Sequence, residues 1–371
     1  LLDGPLSRIF TQILHDEYAK EIEKQGWIIE ETIDRLITFS WPVELIPRIN
    51  LWSRVWNKMY ILLAEKENVV TFDELFDLVS TISWKSYFKK DFPIMVKSNS
   101  TRSELFAERT IQSLTKKAIV KSRVWNEAIV DEDTSLEKME ILVLVIDNKA
   151  RILLNTSWNA LHMRGYRSKA WEAPIKESLA AALVLLSGWK FREPFYDVFC
   201  GSWTIAIEAL MLAKNIAPGL KRKFAFERLW LVNPEITENE RVLASKKQFA
   251  WEYIIRASDI DPEMIELAKE NARIAWLGGE INFEVKDFKE YLDKPISWTL
   301  VSNPPYGERL KDENLKSMYN SIDKLFRLNP ELNWWIISSF MEFDDLIKKE
   351  TYKKRKLYNG GEMCYFWKKN I

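Results

Sequence analysis

The stretch Trp298-Thr299-Leu300-Val301-Ser302-Asn303-Pro304-Pro305-Tyr306 decides the fold. Its first five residues form an apolar run that reads as a buried strand, and Asn303 to Tyr306 stand where that strand gives way to a loop. In an open α/β sheet, ligands bind at the carboxyl ends of the strands. The loop suits a flat ring that carries an amine. The Asn303 amide oxygen can accept from an exocyclic –NH2, while Pro304 and Pro305 fix the backbone and remove competing donors. Tyr306 offers a face on which a base can stack. An Asn-Pro-Pro turn also serves as a plain rigid loop, so the upstream sequence carries the argument further.

Upstream, Phe195-Tyr196-Asp197-Val198-Phe199 reads as an aromatic strand entering the small-residue turn Cys200-Gly201-Ser202. A helical pattern follows at Ile205, Glu208, Ala209 and Leu212. Such a turn lets backbone approach a ligand, and the helix start presents unpaired N–H groups to it. A second strand, Tyr253 to Ser258, ends in Asp259-Ile260-Asp261-Pro262. An acid closing the second strand binds a ribose diol in nucleotide-type folds. Asp261 reads as the N-cap of the next helix, with Pro262 at its first position. A third strand, Phe283 to Lys286, ends in Asp287-Phe288, an acid and an aromatic suited to an adenine ring. The chain closes on a hairpin signal, Lys354 to Tyr358 and Met363 to Trp367 around Asn359-Gly360. Gly-x-Gly-x-x-Gly is absent, which argues against a nucleotide-dependent oxidoreductase.

The first part of the chain reads differently. An amphipathic helix is expected around Ile13 to Lys24, then short strands at 27–32 and 35–39. Helical patterns cover Leu51 to Tyr60 and Phe72 to Ile82, with a strand at Phe92 to Val96. A hairpin is expected from Ile141 to Leu154 around Asp147-Asn148-Lys149. Past Thr156 the pattern turns to α/β. The expected domains are 1–50, an α+β subdomain; 51–162, an RNA-binding domain; and 163–371, the α/β domain. Between Lys85 and Arg123 ten basic residues face three acids, a net of +7, interleaved with aromatics. That segment can grip RNA phosphate, or it can be a solvated face.

Composition narrows the classes. Lys+Arg 54 against Asp+Glu 54 gives formal neutrality, against a histone-like binder but not against a local basic face. Cys200 and Cys364 set up no disulfide framework, which fits a reducing cytoplasm. His15 and His162 are the only histidines, so neither a Cys/His metal site nor His-based acid–base catalysis is expected. The apolar runs are too short to span a bilayer, and no signal peptide opens the chain. The expected location is cytoplasmic, with no membrane and no metal.

The motifs together resemble the THUMP-domain RNA guanine methyltransferases. The matching residues are Leu161 to Arg167, Glu172 to Glu177, Asp197 to Ser202, Asn215 to Leu220, Phe224 to Glu227, Asn303 to Leu310 and Leu357 to Gly360. The likeness spans about residues 45 to 371, more loosely before 160. It implies a class I methyltransferase domain, a Rossmann-like sheet with an antiparallel closing hairpin. Before that domain it implies an α+β region, ferredoxin-like plus THUMP. The implied reaction moves a methyl group from S-adenosyl-L-methionine to a guanine 2-amino group in ribosomal RNA or transfer RNA. The expected catalytic residues are Asn303, Pro304, Pro305 and Tyr306. The expected cofactor contacts are Ala173, Pro174, Glu177, Asp197, Phe199, Cys200, Gly201, Ser202, Thr204, Asp259, Ile260, Asp287, Phe288 and Asn303. RNA is expected at Lys89, Lys90, Lys97, Arg102, Lys116, Lys117, Lys121, Arg123, Arg164 and Arg167.

One departure stands out. The family pattern has Gly where this chain has Trp203, and favours Gly at Trp158, Trp171 and Trp276. The third loop residue lies against the methionine end of the cofactor, where an indole fills ligand space and loses easy access to positive φ. Two rival readings stay open: an adenine-N6 nucleic-acid methyltransferase, which shares Asn-Pro-Pro-Tyr, and, on account of Trp203, an RNA-binding protein with impaired catalysis.

Overall fold

The computed structural model describes residues 7–12, 28–33, 36–42, 46–88, 93–123, 138–167, 175–201, 203–293, 296–306, 312–347, 352–359 and 362–369. The expected helix at 13–24 lies outside them. The chain divides into two compact units, Leu1–Leu161 with Gly219–Ala244, and His162–Pro218 with Ser245–Ile371.

The first unit is built on a seven-stranded sheet. Its strands are β1 (Ser7–Gln12), β2 (Ile28–Ile33), β3 (Leu36–Trp41), β4 (Lys58–Lys66), β5 (Ile94–Thr101), β6 (Met139–Ile146) and β7 (Lys149–Asn155). Their order is β2-β3-β1-β4-β7-β6-β5, with β5 and β6 parallel. The expected 141–154 hairpin is present as β6 and β7, turned by Asp147 and Asn148 at φ 51 and 61. Positive φ at both positions is what a two-residue turn of the right twist requires. Helix Phe72–Ser80 starts with a capping box between Thr71 and Glu74.

One expectation fails here. Leu51 to Tyr60 is not a helix: helix Ile46–Trp52 stops early, and β4 begins at Lys58 between β1 and β7. A central strand covered on both faces carries a near-continuous apolar run, here Met59 to Leu62, which has no period-2 signal to read.

The polar stretch 219–244 packs within this unit. Gly219 N–H donates to the Leu51 carbonyl at 2.9 Å, Phe226 N–H to Thr156, and the Arg222 guanidinium to the carbonyls of Asn159, Ala160 and Leu161. Arg48 pairs with Glu240 at 2.6 Å. Gly219 fits only because it lacks a side chain: a Cβ there would stand 2.6 Å from the Asn50 carbonyl oxygen and 2.9 Å from the Leu51 Cα. Gly219→Ala is expected to cost about 1–3 kcal/mol in chemical denaturation, since backbone must move.

The second unit carries the other seven-stranded sheet. Its strands are β8 (Phe195–Asp197), β9 (Ile255–Asp259), β10 (Asn282–Val285), β11 (Trp298–Ser302), β12 (Leu332–Ser338), β13 (Tyr352–Asn359) and β14 (Glu362–Lys369). The order is β10-β9-β8-β11-β12-β14-β13. The first five run parallel, and the closing hairpin adds β14 antiparallel to β12. Alternate residues feed two cores. Phe195, Val301, Trp335 and Ile337 enter one, and Tyr196, Leu300, Trp334 and Ile336 the other. Successive strands step outward from β8 on one side and from β11 on the other. Strand order therefore reverses between β8 and β11, and the crevice at their carboxyl ends is where such sheets bind ligands.

Candidate active site

Two strand-end loops meet at that crevice, the turn after β8 and the Asn-Pro-Pro-Tyr loop after β11. Ser302 ties them together. Its hydroxyl accepts from Val198 N–H at 2.8 Å and donates to Asp197 Oδ1 at 2.6 Å. Asp197 is buried, and burial pushes its carboxyl up to about 7 against the opposing pull of the Ser302 hydroxyl and the Phe199 amide. A carboxyl that holds its proton more tightly when folded favours folding at low pH. That contribution is lost as pH rises from about 4, its ordinary value, through about 7. The unfolding free energy of the parent is therefore expected to fall over that window relative to Asp197→Asn. Equal pH profiles for the two would refute the assignment.

The turn after β8 is clamped from β9. Cys200 N–H donates to the Ser258 carbonyl at 2.9 Å, and Gly201 N–H to Asp259 Oδ2 at 2.8 Å. Asp259 Oδ1 accepts from Asp261 N–H at 3.0 Å, so the expected ribose carboxylate also shapes the loop. Beside it Ile260, an apolar side chain at a strand end, is 68% exposed. Asp287 caps the turn Phe288–Leu292, accepting from Lys289 N–H at 3.0 Å. Phe288 is buried against the ring of Phe199, so its face is not open to an adenine as expected from the sequence.

Asn303 provides the most direct chemical statement. Its Oδ1 is buried and accepts no hydrogen bond. Desolvating an amide oxygen without a partner costs about 1–3 kcal/mol, which a ligand donor recovers. Pro304, next to it, has no N–H to compete. Tyr306 differs from expectation. It is only 6% exposed, belongs to the core, and its hydroxyl accepts from Asn359 Nδ2 at 3.0 Å, with Cys364 nearby. Its place is to anchor the loop from the closing hairpin rather than to present an open stacking face.

A buried charged cluster supports the helix that follows the turn, Thr204–Ala213. Arg164 and Tyr166 donate to Glu208 Oε1 at 3.4 and 3.1 Å. Arg167 pairs with Glu177 at 3.0 Å and donates to the Ile175 carbonyl and to Thr204 Oγ1. This corrects the assignment of Arg164 and Arg167 to RNA: Arg164 is buried, Arg167 half-buried, and both hold the 164–167 segment against its helices. Glu177 Oε2 remains buried without a partner, and burial raises the Glu177 pKa.

Among the remaining expected RNA contacts, Lys116, Lys117 and Lys121 are exposed on helix Glu108–Arg123. Lys97 pairs with Glu140 and Arg102 with Asp147, both at 2.7 Å. Arg123 closes that helix, and its side chain lies outside the described residues, as do Lys89, Lys90, Ala173, Pro174 and Ser202.

Trp203 caps helix Thr204–Ala213 at φ 54 and ψ 10, buried, with no partner for its indole Nε1. Trp158 and Trp276 also have positive φ, 60 and 64, as the glycine-favouring pattern predicts, and Trp298 joins them at 84. Trp171 lies outside the described residues. Sequence reading missed Ser302, Glu208, Asn359 and Cys364 as site-shaping residues. Only Ser302, adjacent to Asn303, carried a local signal.

The family described as RMKL-like, methyltransferase domain, matches residues 164–367. The chain belongs to that family. A THUMP domain matches residues 69–155. The protein named "Putative RNA methyltransferase YpsC" of Bacillus subtilis (strain 168) is 36% identical over 95% of this chain and 92% of its own length. The ribosomal RNA large subunit methyltransferase K/L of Aliivibrio salmonicida (strain LFI1238) is 32% identical over 96% of this chain. The chain spans 52% of that relative's length. The crystal structure of SMU.472, described as a methyltransferase complexed with SAH, superposes with a TM-score of 0.88 at 31% identity, covering 98% of both chains. Among the described residues no group of three or more His, Cys, Asp or Glu side chains could hold a metal ion. No helix among them is long and apolar enough to cross a membrane.

Proposed function

We propose that this chain transfers a methyl group from S-adenosylmethionine to the 2-amino group of a guanine in RNA, with ribosomal RNA as the first candidate. The observation that carries the reading is the orphaned Asn303 Oδ1, buried at the strand-end switch point between proline-fixed backbone and the β8 turn. The THUMP match and the names of the relatives support RNA as the substrate.

Trp203 apart, the residues present fit the cofactor. Glu177 Oε2 and Asp197 offer acceptors for its ammonium, Asp259 for its ribose diol, and Ile260 an apolar face for its adenine. The cofactor supplies an electrophilic methyl on a sulfonium, with a neutral thioether as leaving group. Positioning then contributes most of the rate. Asn303 Oδ1 and the Pro304 carbonyl would accept hydrogen bonds from the two amine N–H groups, which would turn the nitrogen lone pair towards the methyl that the cofactor supplies. The amine gains the methyl and then loses one proton to solvent, so no histidine is needed. The guanine must be unpaired or flipped out to reach the loop.

The test is methyl transfer from labelled S-adenosylmethionine to deproteinised ribosomal RNA, transfer RNA and duplex DNA side by side. Label on ribosomal RNA alone, located on guanine N2, is expected. Label on adenine N6 or on DNA would replace this reading with the adenine-methylating one.

A further inference from the structure

β13 is the edge strand of the second sheet, and four consecutive basic residues, Lys353 to Lys356, lie along it. Side chains alternate between faces, so Lys354, Lys356 and Tyr358 share one face with Tyr365 of β14. The Lys354 ammonium sits 4.6 Å from the centre of the Tyr365 ring, and Lys356 5.5 Å from that of Tyr358. Lys354 also pairs with Asp344. On the opposite face Lys353 stands directly across from Lys368, a like-charge pairing that costs stability. β13 runs on from this ladder to Asn359, whose side chain, on the opposite face, holds the Tyr306 hydroxyl at 3.0 Å in the Asn-Pro-Pro-Tyr loop. Lysines on an edge strand also blunt sheet-to-sheet association, but that role needs charge alone. It does not need ammonium groups set over rings, as at Lys354 and Lys356, nor a strand that runs on to the residue anchoring the target loop.

We propose that this face of the closing hairpin binds the RNA strand flanking the target guanine, with phosphates on Lys354 and Lys356, whose heads Tyr365 and Tyr358 hold in place. The inference rests on the RNA reading above. The test uses the full chain, a short labelled single-stranded oligoribonucleotide with a central guanine, and a salt titration. For the double variant Lys354→Gln/Lys356→Gln the slope of log affinity against log salt is expected to become shallower by about 1 to 2, because each lost phosphate contact releases fewer counterions. Lys356→Glu should weaken binding further, Lys269→Gln on helix Pro262–Ile274 should leave the slope as in the parent, and S-adenosylmethionine affinity should not change. A parent that binds RNA with a slope the double variant retains overturns the hairpin alone. So does a double variant that self-associates with its RNA affinity intact. A parent that binds no RNA overturns the hairpin and the substrate reading together.

A separate observation concerns the tryptophans. Nine described non-glycine residues have positive φ, and four of them are Trp158, Trp203, Trp276 and Trp298. Three others are asparagine and one aspartate, the types that tolerate this region, whereas an indole gains nothing from it. Trp276 sits one residue past the C-cap of helix Pro262–Ile274. Its N–H bonds to the Arg273 carbonyl, and the next N–H, of Leu277, bonds to the Ala272 carbonyl. That is the helix-ending motif whose left-handed residue is usually glycine. The indole nitrogens of Trp158 and Trp203 are buried without partners. Glycine is scarce, 11 of 371 residues against a usual share of about 7%, while there are 17 tryptophans. We infer that the protein made in its own cells carries glycine at these four positions. Peptide mass spectrometry of the chain isolated from its own cells should find glycine at 158, 203, 276 and 298. Tryptophan in those peptides would overturn the inference.

Discussion

Trp203→Gly is expected to turn a weak S-adenosylmethionine binder into a clear one, by about tenfold or more, equal to roughly 1.4 kcal/mol. The backbone at 203 is left-handed, a conformation that costs a side-chain-bearing residue about 1–2 kcal/mol and glycine almost nothing. The indole is also buried at the head of the helix that follows the cofactor turn, with its N–H unsatisfied. Removing it works in two directions. Without ligand, the variant loses the packing of a large buried ring, a loss that runs to about 3–5 kcal/mol when such a site cannot collapse. With ligand, the space is refilled. Thermal unfolding with and without S-adenosylmethionine therefore separates the two: little shift in Tm for the parent, a clear stabilisation for the variant. Equal and tight binding by both would show that the indole points away from the ligand.

Asn303→Ala is expected to lower methyl transfer by about 10²–10³-fold while leaving the fold and the cofactor affinity near those of the parent. In the proposed mechanism the lost atom is the acceptor for the reacting amine, and it makes no hydrogen bond inside the protein. Loss of that oxygen strands no donor within the protein. Asn303→Asp keeps an acceptor and should retain more activity than alanine. A single-turnover assay with saturating cofactor reads the chemical step directly. An alanine variant with parental turnover would remove Asn303 from the mechanism.

The sheet of the second unit was legible because its signals are local: apolar runs that end in an acid or in Asn-Pro-Pro, and an Asn-Gly turn between alternating strands. The 141–154 hairpin was readable for the same reason. β4 was not, since a strand paired on both sides and covered on both faces shows only an apolar run. The stretch 219–244 reads as a polar insertion, and only long-range bonds such as Arg48 to Glu240 reveal that it packs with the first unit. At the crevice, the strand-end positions of Asn303 and Asp259 were readable from the sequence. Tyr306 was misjudged because its burial is decided by Asn359 and Cys364, more than fifty residues downstream. Arg164 and Arg167 show their charge in sequence but not their burial. Their acidic partners, Glu208 and Glu177, come from separate helices.

The most direct test of the central claim is nucleoside mass spectrometry of ribosomal RNA from cells with and without the gene. The account predicts that N2-methylguanosine at one site disappears from the large-subunit RNA when the gene is deleted and returns with the intact chain, but not with Asn303→Ala. Unchanged N2-methylguanosine in both ribosomal and transfer RNA, or loss of an adenine methyl mark instead, would contradict it.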